Sequence, residues 1–237
     1  MYSLQGIVRK NINNATVQLD RLSYIGNNMA NYSTTGYKAV RFEQLLREDG
    51  YLAGALRTDV SQGSVRITSN PYDIALKGPG YIPVVSPDGE VQYTRDGAMK
   101  VGKGGYLMTS DDWLIGSGIQ VPPNVYKMEI KSNGDVMVMD NAGDKMRKIG
   151  NIPIVQFDSP ENLELGNNNK LKPTAESGEP KLLKEHDYVA QNALEYSNTN
   201  LFEQANDMMR LNTSMIASMK LIKVADDMYN KSINIRE

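Results

Sequence analysis

The C-terminal stretch of the chain, residues 191–236, most constrains the fold because it contains neither glycine nor proline. Its residues repeat an apolar seam at alternating spacings of four and three, which predicts one long amphipathic helix. The seam positions on this helix are Leu201, Ala205, Met208, Asn212, Met215, Met219, Ile222 and Asp226. At 1.5 Å per residue such a helix would be roughly 65 Å long, more than one small domain can cover. We therefore expect it to need partner helices.

The N-terminal residues show the same spacing and predict a second amphipathic helix that ends within residues 27–38. Its seam positions are Val8, Ile12, Ala15, Leu19, Leu22 and Met29. Asparagine, serine, threonine and glycine residues follow this helix, and these residue types commonly end helices. We expect the two helices to form a coiled-coil-like rod domain, with both seams as its assembly interface. An ordinary pair of core helices is the alternative, and the length of the C-terminal helix argues against it.

The charge balance and the missing cysteines exclude several classes of function. The chain carries 26 basic and 28 acidic residues, so electrostatics favours neither nucleic acid nor an anionic membrane as partner. It has no cysteine, which excludes disulfides and thiolate metal sites. The N-terminus lacks the pattern of a secretory signal peptide, and no apolar run reaches the roughly 20 residues that span a bilayer.

The middle of the chain, residues 63–188, has short apolar or β-branched runs separated by glycine-containing turns, which is typical of an all-β domain. The clearest unit is a hairpin of residues 127–132 and 135–139 around Asn133 and Gly134, and we expect both turn residues to have positive φ. Other predicted strands cover residues 81–85, 91–94, 106–109, 119–121 and 152–157.

The predicted fold class is therefore α+β, with a mainly antiparallel β domain inserted between two long terminal helices. The predicted boundaries are residues 1–38 with 189–237 for the helical domain, 39–62 for a linker and 63–188 for the β domain. This order predicts that the first and last segments of the chain meet in space.

The residue types that could carry chemistry do not form a convincing catalytic or metal site. His186 is the only histidine, and we expect it on the surface. The glycine-rich residues 102–105 lack the ending of a phosphate-binding loop and predict a hairpin turn. Asp111 and Asp112 beside Trp113 are adjacent, so their side chains should point apart. We expect no enzyme, no cofactor and no bound metal.

The segment that follows the first helix resembles a signature of a known family. The matching residues are Ala30, Asn31, Thr34, Gly36, Tyr37 and Lys38. They resemble the Ala-Asn-x-x-Thr-x-Gly-Phe-Lys signature of the flagellar rod and hook protein family, with tyrosine in place of phenylalanine. Residues 73–81 and 93–97 are similar to two further family segments, and residues 194–198 are similar to the entry to its last helix. The resemblance therefore covers both ends and the middle of the chain.

The resemblance implies a structural subunit of the bacterial flagellar basal-body rod, most similar to the proximal rod subunit with one β domain. Such a subunit assembles through its terminal helices into the axial drive shaft that transmits torque. The implied partners are other rod subunits, both copies of itself and homologous axial proteins, and transiently the flagellar type III export apparatus. The implied location is the basal body, reached across the inner membrane without a cleaved signal peptide. Neither nucleic acid nor membrane insertion is implied.

Two alternatives remain open from the sequence. One is a distal rod or hook subunit of the same family, although hook proteins are normally longer and have additional domains. The other belongs to a different class, an oligomeric secreted adhesin whose β domain binds a ligand. A closed trimer would favour the adhesin, whereas open heterologous association would favour the rod.

Overall fold

The computed structural model describes residues 4–166 and 168–234 of the chain. Two α-helices, α1 (Leu4–Ala30) and α2 (Leu201–Asn234), bracket a region of short strands. The chain divides into two compact units. The helical unit comprises Met1–Ala30, Val40–Arg57 and Asn200–Glu237, and the β unit comprises Asn31–Ala39 and Thr58–Thr199. Within the described residues, neither helix is sufficiently long and apolar to cross a membrane.

A two-stranded sheet in the helical unit packs against α1. Its strands are β1 (Val40–Leu46) and β2 (Leu52–Thr58). The Asn13 side chain donates to the carbonyl of Leu52 at 3.1 Å and accepts from its amide at 2.7 Å. The rings of Tyr24 and Phe42 stack with their centroids 5.7 Å apart. Strands thus occupy most of the range for which we expected a linker, and their backbone is tied to polar side chains of α1.

The two helices are antiparallel and meet through a face of mixed polar and apolar side chains. The Gln18 amide donates to the Ser214 hydroxyl at 2.9 Å, and the Asn14 amide donates to the Ser218 hydroxyl at 3.3 Å. The buried side chains on this side of the helices include Gln18, Ile25, Leu211, Ser218 and Ala225. As the residue numbers of the contacts increase along α1, those of their partners on α2 decrease, so the helices run in opposite directions.

The predicted coiled-coil-like rod domain is wrong. The described residues contain one pair of α-helices and a large, mostly antiparallel β region. A coiled coil buries an apolar seam between its helices, whereas the seam residues Ile12, Leu19 and Met219 are 54%, 53% and 55% exposed. In addition, α2 begins at Leu201 and not near residue 191, because residues 189–195 pair as strands.

Among the described residues, the β unit contains sixteen short strands, which form five sheets. The strands are β3 (Val65–Ile67), β4 (Ile74–Leu76), β5 (Ile82–Val85), β6 (Val91–Thr94), β7 (Met99–Val101), β8 (Leu107–Thr109), β9 (Leu114–Ile115), β10 (Lys127–Ile130), β11 (Asp135–Met139), β12 (Arg147–Asn151), β13 (Val155–Gln156), β14 (Glu164–Leu165), β15 (Leu171–Lys172), β16 (Lys181–Leu182), β17 (Val189–Gln191) and β18 (Ala193–Glu195). The largest sheet has the order β14-β15-β6-β5-β9-β8-β7. A three-stranded sheet has the order β10-β11-β12, and the pairs are β13-β16, β17-β4 and β18-β3.

The main core of the β unit lies among these short sheets. Its fully buried side chains include Ile74, Leu76, Ile82, Val84, Leu107, Ile115, Val136, Val138, Ile152 and Ile154. Val136 and Val138 alternate with the half-buried Met137, the period of a strand with one buried face. A second cluster packs the aromatic rings of Tyr81, Tyr93 and Phe157. Burial of these apolar side chains is what holds so many short strands in one unit.

The hairpin predicted around Asn133 and Gly134 is confirmed, although its turn differs from the prediction. Strands β10 and β11 pair antiparallel, with Met128 opposite Val138. Gly134 has a φ of 81°, and its amide donates to the carbonyl of Lys131 at 2.9 Å. Asn133 is absent from the positive-φ residues. A single left-handed residue therefore suffices for this turn.

The other strand predictions succeed unevenly. The expected strands at residues 81–85, 91–94 and 106–109 correspond to β5, β6 and β8. Residues 119–121 form only an isolated bridge, between Tyr106 and Gln120. Of residues 152–157, two form β13.

Candidate functional site

Three of the family-like segments meet at one buried carboxylate in the β unit. Lys38 precedes β1, Arg95 follows β6 and Glu195 ends β18. The Lys38 Nζ lies 2.7 Å from Glu195 Oε1, and the Arg95 Nη2 lies 2.7 Å from Glu195 Oε2. All three residues are at most 5% exposed. We call these residues the Glu195 cluster.

Backbone groups make further hydrogen bonds to the Glu195 cluster. Lys38 donates to the carbonyl of Ser61 at 2.6 Å, and the amide of Gly63 donates to Glu195 Oε1 at 2.9 Å. Arg95 also donates to three carbonyls, those of Leu76, Gly78 and Gly80. Burial lowers the pKa of Lys38, and the adjacent carboxylate opposes this shift. The cluster therefore holds distant parts of the chain together through charged hydrogen bonds.

The motif after α1 owes much of its composition to this packing. Gly36 has a φ of 65°, and a Cβ there would lie 2.2 Å from the amide nitrogen of Asp96. Its amide donates to the carbonyl of Glu195 at 2.8 Å. The Thr34 hydroxyl donates to the Asn31 side chain at 3.0 Å.

The neighbouring motif positions are also placed by packing. Tyr37 is 3% exposed, and burial raises the pKa of its hydroxyl. Ala30 is the last residue of α1. Gly36 and Tyr37 of the resemblance motif are therefore placed by packing within the β unit.

Seven of the fourteen predicted seam residues are exposed at the surface of the helical unit, and the other seven are half-buried. None of the fourteen is fully buried. The exposed ones are Ile12, Leu19, Leu201, Met208, Asn212, Met219 and Asp226. The half-buried ones are Val8, Ala15, Leu22, Met29, Ala205, Met215 and Ile222. Their role as an assembly interface stays a prediction.

The residues that do join the two helices were missed by sequence reasoning. On α2, Leu211, Ser218 and Ala225 recur at intervals of seven and are at most 7% exposed. The spacing of seven can be seen in the sequence, but the polar Ser218 and the small Ala225 do not form a recognisable apolar stripe. On α1, Gln18 and Asn28 have the same role, and hydrophobic periodicity assigns polar residues to the solvent.

The glycine-rich residues 102–105 and His186, which we considered for chemistry, make contacts typical of a turn and of side-chain packing. Residues 102–105 form the expected hairpin turn, with the Gly105 amide donating to the carbonyl of Gly102 at 3.1 Å. His186 is half-buried, where we expected an exposed residue, and its ring stacks on Tyr188. Among the described residues, no three His, Asp or Glu side chains are grouped to hold a metal ion.

The adjacent acids Asp111 and Asp112 pair with different lysines. Asp111 forms an ion pair with Lys170, and Asp112 lies 2.8 Å from Lys100. Burial raises the pKa of Asp111, but hydrogen bonds from Lys170 and Thr109 outweigh it and hold that pKa below its usual value. The two carboxylates therefore do not share a proton as a catalytic pair would.

Comparison with known proteins identifies relatives along nearly the whole chain. The family model described as "Flagellar hook protein FlgE/F/G D1 domain" matches residues 75–138. The flagellar basal-body rod protein FlgG of Buchnera aphidicola subsp. Schizaphis graminum is 30% identical over 238 residues, which cover 89% of this chain and 92% of that protein. The FlgG of Caulobacter vibrioides is 27% identical over 241 residues, covering 90% and 92% of the two chains. The flagellar hook protein FlgE of Brucella abortus is 36% identical over 127 residues, covering 49% of this chain and 32% of the hook protein.

Proposed function

This chain belongs to the flagellar hook and basal-body rod protein family, and we propose from this premise that it is a structural subunit of the bacterial flagellar basal-body rod. The resemblance predicted from the motifs is thereby confirmed. The observation that carries the proposal is the alignment with rod proteins over 89% of the chain. The Glu195 cluster supports a structural role, because segments that resemble the family are held together there by buried charged hydrogen bonds.

A hook subunit is less well supported than a rod subunit. The alignment with the Brucella hook protein covers 32% of that protein, whereas the alignments with the two rod proteins cover 92% of each. Length therefore favours a rod subunit.

We further propose that the terminal helices bind neighbouring axial subunits, either copies of this chain or its homologues, and that the assembled shaft transmits torque. The support is exposed apolar surface on both helices, including Ile12, Leu19 and Met219. Exposed apolar surface of this extent commonly marks a protein interface. The transient contact with an export apparatus stays a prediction.

Genetic complementation tests both parts of this proposal. In a strain that lacks the gene, the wild-type chain should restore swimming and be present in purified basal bodies. The double variant Leu19→Glu with Met219→Glu should reduce swimming at least tenfold and be lost from basal bodies, because charge replaces apolar contact. The matched control is Ser23→Glu with Asn206→Glu, at exposed polar positions of the same helices.

The outcomes separate the two parts. Unimpaired swimming of the deletion strain, with the tagged wild-type chain absent from basal bodies, would refute the rod assignment. Normal incorporation of the Leu19 and Met219 variant would refute the helix interface alone. Circular dichroism of each purified variant would show that the comparison concerns folded chains.

A further inference from the structure

The exposed apolar side chains of α2 form two separate patches. The N-terminal patch includes Phe202, Met208, Met209, Ile216 and Met219, which are 38–83% exposed. The C-terminal patch consists of Leu221, Val224 and Met228, which are 54–59% exposed. So many exposed methionine and aliphatic side chains on one helix are typical of a surface that a partner buries.

The two patches face different directions. The buried residues Leu211, Ser218 and Ala225 mark the side of α2 that faces α1. With about 100° per residue, the N-terminal patch is centred roughly 125° around the axis from Leu211, and the C-terminal patch roughly 255° in the same sense. The directions of the two patches thus differ by roughly 130°, and α1 covers neither.

Each side of α2 is apolar along only half of its length. In the N-terminal half, the side that later carries the C-terminal patch bears the exposed polar residues Glu203, Asn206 and Arg210. In the C-terminal half, the side of the N-terminal patch bears the exposed Lys220, Lys223 and Asp227. The apolar surface therefore changes sides between residues 219 and 221.

The antiparallel helix α1 extends the surface around the N-terminal patch. Its contacts at Asn14 with Ser218 and at Gln18 with Ser214 fix the register of the two helices. In that register the exposed Ile12 and Leu19 lie on the same side of the helix pair as the N-terminal patch. A partner of the N-terminal patch can therefore contact both helices.

This division selects one parallel arrangement of neighbouring copies. If two α2 helices stood at equal height with opposite sides in contact, Lys220 and Lys223 would face the C-terminal patch, and Glu203 and Arg210 would face the N-terminal patch. Placing charges against apolar side chains removes their hydration without giving them a partner. A shift of about 13 residues, roughly 20 Å along the axis, instead brings the N-terminal patch of one copy opposite the C-terminal patch of the next.

We infer that α2 binds two further copies of this chain, its N-terminal patch packing on the C-terminal patch of one neighbour and its C-terminal patch on the N-terminal patch of another, each offset by roughly 20 Å. The choice of a second copy as partner rests on the proposed rod function. Because the two patches differ in position and composition, the contact is heterologous and leaves one free patch at each end of a row. Addition of copies can thus continue without closing as a dimer.

Engineered cysteines test the offset directly, because the natural chain contains no cysteine. The variant Met209→Cys with Val224→Cys places one thiol in each patch, on sides of α2 that cannot reach each other. Under mild oxidation, both in complemented cells and with the purified full-length chain at high concentration, we expect a ladder of covalent dimers, trimers and larger species. Each single-cysteine variant should give no covalent species, because equivalent residues of neighbouring copies lie roughly 20 Å apart.

The matched control is Ile216→Cys with Arg210→Cys, which places thiols on the same two sides without the required offset. Dimers of either single-cysteine variant would show an isologous contact and overturn the inference. An equal ladder from the control pair would overturn the offset. Absence of a Met209–Val224 ladder both in cells and with the purified chain would overturn the contact itself. If the chain is in basal bodies and yields no ladder, the inference fails while the proposed function stands. If the chain yields a ladder but is absent from basal bodies, the proposed function fails while the contact between copies stands.

Discussion

At the scale of single residues, the Glu195 cluster places one carboxylate against two cations, and all three side chains are almost completely buried. A buried ion pair adds little net stability by itself, since desolvation of the charges cancels much of their attraction. Removing one partner is different because the other charges stay behind without compensation. The cluster should therefore be sensitive to neutralisation of its central residue.

We predict that Glu195→Gln lowers the free energy of unfolding by roughly 3–5 kcal/mol, because Lys38 and Arg95 lose their shared anion. Urea denaturation of the full-length chain measures the change. The control Asp158→Asn breaks the exposed ion pair with Lys181 and should cost less than about 1 kcal/mol. Similar small losses for both variants would contradict the assignment.

Tyr81 carries the second residue-scale prediction. The side chain is 4% exposed, and burial raises its pKa to about 12. Above pH 10 the unfolded chain releases this proton before the folded chain does, so stability falls as the pH rises from 10 towards 12. Lys38, whose pKa is lowered by burial, contributes in the opposite sense below pH 10.5.

Replacing Tyr81 with phenylalanine should therefore make the alkaline loss of stability shallower. The expected difference is at most about 1.4 kcal/mol per pH unit, the value for one proton. Urea unfolding at pH 9, 10 and 11 gives the slopes, and Tyr126→Phe, at a position 67% exposed, is the control. Identical slopes for the wild type and Tyr81→Phe would refute the prediction.

At the scale of secondary-structure elements, Asn28 joins three parts of the helical unit. Its amide donates to the carbonyl of Val40 at 2.9 Å and to the side chain of Gln204 at 3.2 Å. Its carbonyl accepts from the amide of Val40 at 2.9 Å. One buried side chain on α1 thus fixes the start of β1 and contacts α2.

We predict that Asn28→Ala destabilises the helical unit by roughly 2–4 kcal/mol, because both backbone groups of Val40 would be buried without partners. The helical signal in circular dichroism, followed during urea unfolding, reports this loss. Ser23→Ala, at an exposed position of the same helix, should change stability by less than about 0.5 kcal/mol. A loss in Asn28→Ala no larger than in this control would mean that the hydrogen bonds contribute little.

At the scale of the whole molecule, the β unit is assembled from two segments of the chain that residues 40–57 separate. Residues 31–39 contribute Lys38, and residues 58–199 contribute both Arg95 and Glu195. The amide of Asp59 also donates to the carbonyl of Ala39 at 2.8 Å. This hydrogen bond joins the two segments next to the start of β1 and the end of β2. A domain with its own core should fold without the terminal helices.

We predict that the fragment of residues 31–199 is a folded monomer that unfolds cooperatively. A fragment of residues 31–194 lacks Glu195 and should unfold at a lower urea concentration or not fold at all. Sedimentation and circular dichroism distinguish these results. Random-coil spectra for both fragments would show that the β unit depends on the helical unit, and equal stability would show that the Glu195 cluster is dispensable.

The sequence by itself determined the features that depend on nearby residues. The periodic apolar residues identified both helices, the polar segment after Ala30 marked the end of α1, and Asn133 with Gly134 marked a hairpin. Local motifs also identified the family, because matching short strings needs no knowledge of contacts.

Only the tertiary structure decided which residues meet across long separations. Residues 189–195 became strands and not helix because β3 and β4 offered them backbone partners. Lys38 and Glu195 are 157 positions apart, and no periodic pattern in the sequence predicts that a lysine will be buried against a distant glutamate. The helices can meet through Gln18, Ser218 and their neighbours because the buried Gln18 amide nitrogen and Ser218 hydroxyl have side-chain partners on the opposite helix. Such satisfaction depends on the positions of both partners, which only the folded chain sets.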